Sequence, residues 1–154
     1  MCGSDEAQVG VSRYLKLPNY VKTPILKVAA AGTHCLLIDS DHNVWIWGYG
    51  LLGKGPKCDE SMLPTMIPQT LFGKYQELPH TLKKKPISVD CGLYSSSVTF
   101  DDGSFYMWGK NKYGNLGTGD DLDAYIPLRV NIPARVKKVD LGADQTFAIC
   151  KTNL

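Results

Sequence analysis

The feature that most restricts how this chain folds is a strand ending in Trp-Gly, which occurs twice, each time after a short turn and before a glycine-rich loop. The first unit runs Val28-Ala29-Ala30-Ala31-Gly32, through Thr33 to Ile38, then Asp39 to Asn43, then Val44-Trp45-Ile46-Trp47-Gly48. The second runs Val89-Asp90-Cys91-Gly92, through Leu93 to Phe100, then Asp101-Asp102-Gly103, then Ser104-Phe105-Tyr106-Met107-Trp108-Gly109. Both continue into the same tetrad pattern, Leu52-Gly53-Lys54-Gly55 and Leu116-Gly117-Thr118-Gly119. A third unit opens at Val139-Asp140-Leu141-Gly142 and reaches Phe147-Ala148-Ile149-Cys150. A unit recurring every fifty residues or so does not bury its apolar face alone and must stack on its neighbours.

The residue types inside each unit favour strands. Ser97-Val98-Thr99-Phe100 and Phe105-Tyr106-Met107-Trp108 are rich in β-branched and aromatic residues, and Asp102-Gly103 between them is a hairpin turn. Fifteen glycines and nine prolines leave little room for long helices, with one short helix expected at Pro68-Gln69-Thr70-Leu71-Phe72. Four short strands per unit read as propeller blades. A β-sandwich is the alternative, but it has no need of the same Trp-Gly terminus in successive units. The expected fold is therefore all-β, a partial β-propeller of about two and a half to three four-stranded blades. Its units are expected at 1–27 (an N-terminal segment and the end of a preceding blade), 28–87, 88–137 and 138–154 (the start of a truncated terminal unit). Residues 28–87 carry a loop insertion between Gly55 and Gly92. Open sheet edges at both ends are expected to make the isolated polypeptide marginally stable or prone to aggregate. Gly32, Gly92 and Gly142 are expected at one repeated turn, and Trp47 and Trp108 between blades. Gly48 and Gly109 then permit the exit turns, Asp102 and Gly103 the hairpin, and Gly53, Gly114, Leu116 and Gly117 the loop.

Chemistry is conspicuous mainly for what is missing. Seventeen Lys and Arg against fifteen Asp and Glu give a net charge of +2, no global pull toward nucleic acid. The five cysteines (Cys2, Cys35, Cys58, Cys91, Cys150) form no CxxC pair and read as free thiols. No apolar run approaches the ~20 residues of a membrane-spanning helix. Met1 to Glu6 reads as neither a secretory signal nor a presequence. His34, His42 and His80 lie in unrelated contexts, so no metal is expected. Gly48-Tyr49-Gly50-Leu51-Leu52-Gly53 fits a GxGxxG string, but Lys54-Gly55-Pro56 does not open a helix, and no cofactor or nucleotide is expected to bind. The chain carries no catalytic apparatus and does not read as an enzyme. What remains is surface. Candidate partner contacts are Lys83, Lys84 and Lys85, which pair as basic patches with Arg135, Lys137 and Lys138 if they share a face. Tyr49, Lys110, Asn111, Lys112 and Tyr113 are further candidates, in the loops after Trp-Gly.

Asn111-Lys112-Tyr113-Gly114-Asn115-Leu116-Gly117, following Asp102-Gly103 and Trp108-Gly109, resembles the regulator-of-chromosome-condensation repeat, with its Asn-x-x-Gly-x-Leu-Gly loop. The resemblance covers roughly Gln8 onward and implies a seven-bladed propeller. The shortened loop after Gly48, the segment Met66 to Gly73 and the stretch Gly142 to Phe147 are similar to the C-terminal portion of a mitochondrial, exchange-factor-like member. That resemblance implies a mitochondrial interaction module, a guanine-nucleotide exchange factor whose rim loops wedge into a small GTPase. The alternative it leaves open is a non-catalytic scaffold for mitochondrial ribosomal RNA or a protein assembly, using the basic loops. The chain departs from the family pattern at the histidine three residues after the repeat glycine, which is Ser95 and Gln145 here. His34 stands two residues after Gly32, so that unit reads one residue short. The third unit has neither Asp-Gly nor Trp-Gly, and in the family the last blade's missing strands come from the other chain end.

Overall fold

The computed structural model describes residues 16–73 and 84–152. Candidate Lys83, and the reading of residues 8–14 as the end of a blade, lie outside the described residues. Two antiparallel four-stranded sheets follow one another. The first is β1 (Lys27–Ala30), β2 (His34–Ile38), β3 (Val44–Tyr49) and β4 (Glu60–Met66); the second is β5 (Pro86–Cys91), β6 (Ser95–Phe100), β7 (Phe105–Gly109) and β8 (Ala124–Arg129). In both, strands pair in chain order, and β9 (Arg135–Leu141) with β10 (Thr146–Lys151) begins a third sheet. β1 and β2 pack on β5, while β5 and β6 pack on β9, so successive sheets stack as blades fanning from their first strands. This is a partial β-propeller.

Sandwiching between neighbours explains why the middle strands do not alternate apolar and polar residues. β2 (HCLLI) and β6 (SSSVTF) are buried throughout, because both faces of each sheet are covered. Among the described residues the outermost strands pair with another strand on one side only. There the pairings Gly48 with Ser61 and Gly109 with Ala124 bring Pro64 and Pro127 to the same position in the two sheets. A proline lacks the N–H that would recruit another strand, which blunts the edge.

The tryptophans repeat as the sequence does. Trp47 pairs with Cys35 and Trp108 with Ser96, the same register in each sheet. Trp108 is fully buried beside Phe72, with ring centroids 6.3 Å apart, and stands on Gly53, where an added Cβ would lie 2.7 Å from its Nε1. Phe72 belongs to a 3-10 turn (Gln69–Phe72) and also packs on Phe100 and Tyr106, so the insertion begins by filling the gap between sheets. Trp47 and Trp45 occupy the opposite face of the first sheet, under Val21, Leu17 and Ile25 of the segment that precedes it. Each tryptophan thus points back toward the chain that comes before its own sheet.

Two turns differ from the sequence expectation. Gly32 is not the partner of Gly92 and Gly142. The equivalent backbone bonds are Ala31 N–H to His34 O, Gly92 N–H to Ser95 O and Gly142 N–H to Gln145 O, so Ala31 holds that place. The turn has the same length in all three units, and His34, Ser95 and Gln145 coincide. Gly32 falls one residue later, aligned with the exposed Leu93. In the first hairpin, which lacks Asp-Gly, His42 adopts the positive φ (61°) that Gly103 (83°) adopts in the second. The buried Asp39 carboxylate closes that hairpin, accepting Asp41 N–H at 3.0 Å, Asn43 N–H at 2.9 Å and the Trp45 indole N–H at 2.7 Å.

Candidate partner-binding rims

Strands that alternate direction deliver their connections to two opposite ends of the fan. One end gathers the hairpins 39–43 and 101–104, residues 84–85 and the link 130–134; it is the hairpin rim. The other gathers the tight turns 31–33, 92–94 and 142–145 and the long loops 50–59 and 110–123; it is the loop rim. A six-residue strand separates them by about 17–20 Å.

This division splits the candidate residues. Tyr49, Lys110, Lys112 and Tyr113 lie on the loop rim, and Lys84 and Lys85 on the hairpin rim, so one flat partner surface does not contact both sets. Lys84 is moreover not a free cation. It donates to Tyr106 Oη at 2.8 Å, and its Nζ lies 4.7 Å from the Phe100 ring centroid and 4.5 Å from that of Tyr106. Lys85 is exposed and near Arg135, because Asp101 accepts the Lys85 N–H on its carboxylate and the Arg135 guanidinium on its carbonyl. Lys137 and Lys138 lie further along β9.

Asn111 is a correction of a different kind. It is completely buried. Its Nδ2 donates to Asp120 O at 3.0 Å and Leu122 O at 3.1 Å, and lies within reach of Thr118 Oγ1 and Asp120 Oδ1. Its Oδ1 accepts the Leu116 N–H at 3.0 Å, and its own N–H donates to Asp123 at 2.9 Å. The side chain is the internal frame of the loop 110–123, out of reach of a partner.

Around that frame the exposed residues form a groove of about 500 Å³ between the second and third sheets, lined by Tyr94, Lys110, Lys112, Tyr113, Asp123 and Asp144 among others. Lys110 pairs with Asp123 at 3.1 Å. The Asn111 N–H above all, with Lys110, holds the Asp123 carboxyl below its ordinary range, against partial burial. Sequence reasoning had not singled out Tyr94 or Asp144. Their signal was positional: each stands two residues after a repeat glycine, Gly92 or Gly142, at the tip of a tight turn facing the same groove.

The exit glycine behind this rim is required by space. A Cβ at Gly109 (φ 124°) would overlap the Tyr94 carbonyl oxygen, so the strand reaches the loop only through glycine. His34 is buried at the junction of the first two sheets, its Nε2 2.8 Å from Ser96 Oγ. Among the described residues no three His, Cys, Asp or Glu side chains converge to hold a metal ion, and no helix is long and apolar enough to cross a membrane.

The model of the Regulator of chromosome condensation (RCC1) repeat matches residues 102–149, from the second hairpin to β10. Across 97% of its length the chain is 37% identical to the "RCC1-like G exchanging factor-like protein" of Mus musculus, and 36% identical to the Homo sapiens protein of that name. The chain carries an RCC1 repeat. This RCC1-repeat chain spans 31% of the length of those two relatives. The crystal structure of human WBSCR16 superposes on it with a TM-score of 0.87 at 36% identity, over 97% of this chain and 36% of that one. Prp20p of Saccharomyces cerevisiae shares the fold, with a TM-score of 0.62 at 20% identity over 90% of this chain and 34% of that one.

Proposed function

We propose that this RCC1-repeat chain supplies part of the docking rim of a guanine-nucleotide exchange factor, acting by binding on a small GTPase, in mitochondria. The observation that carries the reading is the loop rim. Tyr49, at the end of β3, Tyr94, on a tight turn, and Tyr113, on the loop that Asn111 frames, are 47%, 53% and 63% exposed there. Exposed tyrosines on a rigid frame are the residues that anchor protein interfaces. The name of the mouse and human relatives points the same way. The mechanism is linkage: a module that prefers the nucleotide-free GTPase lowers nucleotide affinity by the same coupling free energy, typically 5–150-fold.

The test is release of a fluorescent GDP analogue from purified mitochondrial GTPases mixed with the full 154-residue chain. Acceleration lost in Tyr113→Ala supports the reading, and no acceleration of any of them refutes it. The mitochondrial location is tested separately, by imaging the tagged natural product in cells; exclusion from mitochondria removes that part.

A second reading, a scaffold for mitochondrial ribosomal RNA, is favoured by the opposite rim. Lys22, Lys27, Lys85, Arg129 and Arg135 are all exposed at or near the hairpin rim. Phosphate contacts by such a face give affinity that falls steeply with salt. RNA binding that is insensitive to salt, or unchanged in Lys85→Glu/Arg135→Glu, dismisses it.

A further inference from the structure

The net charge of +2 conceals a division between the two ends of the fan. On and beside the loop rim stand Asp59, Glu60, Asp120, Asp121, Asp140 and Asp144, against Lys54, Lys57 and Lys112 once Lys110 is counted with its partner Asp123. The hairpin rim has the opposite balance. A partner approaching the tyrosine-bearing end therefore meets a negative field, which speeds the encounter of a basic surface and slows that of an acidic one.

The groove shows how such a partner is held. Tyr94 and Tyr113 expose their rings at its wall, and Asp144 makes no ion pair among the described residues. Lys112 already places its Nζ 5.2 Å from the Tyr113 ring centroid, so this wall takes a cation on its π face within the chain itself. We infer that the groove receives an arginine side chain from a basic face of the partner protein. The guanidinium stacks on Tyr94 and Tyr113, in the place Lys112 now holds, and pairs with Asp144. Arginine fits better than lysine because its planar, weakly hydrated head stacks on a ring and pairs with a carboxylate at once. The inference builds on the exchange reading only in using the same rim.

The experiment uses the full 154-residue chain and fluorescein-labelled hexapeptides in which glycine alternates with arginine, lysine or glutamate. Binding is followed by anisotropy at 50 and 200 mM salt. The arginine peptide is expected to bind more tightly than the lysine peptide, to weaken with salt, and to lose about tenfold in affinity in Tyr94→Ala/Asp144→Asn. Lys151→Glu, outside the groove, is expected to leave binding unchanged, and circular dichroism confirms that each variant is folded. No binding of the arginine peptide, equal or better binding of the glutamate peptide, or undiminished binding by the folded double variant overturns the inference. If the peptide binds as expected while no GTPase releases nucleotide, the exchange reading falls and the groove assignment stands. If exchange is accelerated but the double variant matches wild type in both assays, the groove assignment alone falls.

Discussion

Replacing Gly53 by alanine probes whether the tryptophan wedge is what holds successive blades together. Gly53 has φ +74°, and a Cβ there would lie 2.7 Å from Trp108 Nε1 and 2.9 Å from Cε2. The left-handed backbone alone costs a residue with a Cβ about 1–2 kcal/mol. The ring has little space to retreat into, because Trp108 is completely buried with Phe72 beside it, so forced repacking adds about 2 kcal/mol. Gly114 is the matched control. Its φ is +69° and a Cβ there meets only Asp120 O at 3.8 Å, so Gly114→Ala bears the backbone cost alone. For a chain of this size 1 kcal/mol moves the melting temperature by roughly 2–4 °C, so Gly53→Ala should melt about 4–8 °C below Gly114→Ala. Adding Trp108→Phe, a smaller ring, to Gly53→Ala should recover about 1 kcal/mol relative to the sum of the single changes. The assay is thermal and urea unfolding followed by far-ultraviolet circular dichroism. Gly53→Ala melting with Gly114→Ala, or additivity in the double variant, refutes the wedge.

Asn111→Ala leaves the Leu116 N–H and the carbonyls of Asp120 and Leu122 without their partner, so a loss of about 2–4 kcal/mol is expected, with faster amide exchange confined to 110–123. Burial lowers the basicity of His34 from its ordinary 6.5, outweighing its bond to the Ser95 backbone. Because the folded chain then holds that proton less tightly than the unfolded one, stability should fall as pH drops below about 6.5, and a urea-midpoint profile of His34→Gln should be flatter there. Asp39 is opposed by its burial, but the bonds from Asn43 and Trp45 prevail and lower its carboxyl below 3.8. Its contribution is present above the unfolded value and lost as pH falls through the folded one, so Asp39→Asn should remove part of the acid sensitivity below pH 4. Among the described cysteines Cys58 is exposed, whereas Cys35 and Cys91 are buried and burial pushes the Cys91 thiol up, so maleimide should label Cys58 first and those two only on unfolding.

The blades were legible in the sequence because strand and turn signals are local: Asp102-Gly103 between two aromatic runs specifies a hairpin without help from distant residues. The offset at Gly32 was hidden for the same reason. A glycine in a turn is visible in sequence, but which residue of the turn donates the closing bond is decided by strand pairing, and Ala31 serves as well as Gly92. Asn111 and Lys84 were misjudged as surface because polar residues in loops usually are. Asn111 is drawn inside by carbonyls nine and eleven residues away, and Lys84 by the Phe100 ring and the Tyr106 phenol, sixteen and twenty-two residues away. Nothing near either residue announces those partners.

The rims differ because the connections they carry are under different constraints. A hairpin joining two strands of one sheet is short and its geometry is dictated by the turn, so hairpins 39–43 and 101–104 have few positions that vary freely. The loops 50–59 and 110–123 join the third strand of each sheet to its outermost one, and their length is limited only weakly by closure entropy. Length by itself gives a floppy loop and a poor interface, since ordering it on binding costs affinity. Asn111 removes that difficulty by tying the loop to itself before any partner arrives, which leaves Tyr113 and Lys112 displayed on a rigid base. The first sheet solves the same problem differently: Gly50 stands where Asn111 would, and its loop is held by backbone bonds, Gly50 N–H to Asp59 O within the loop and Gly55 N–H to Tyr125 O of the next sheet. A docking surface on such a fan therefore depends on residues that never touch the partner, and substitution of Asn111 should impair binding as severely as substitution of Tyr113.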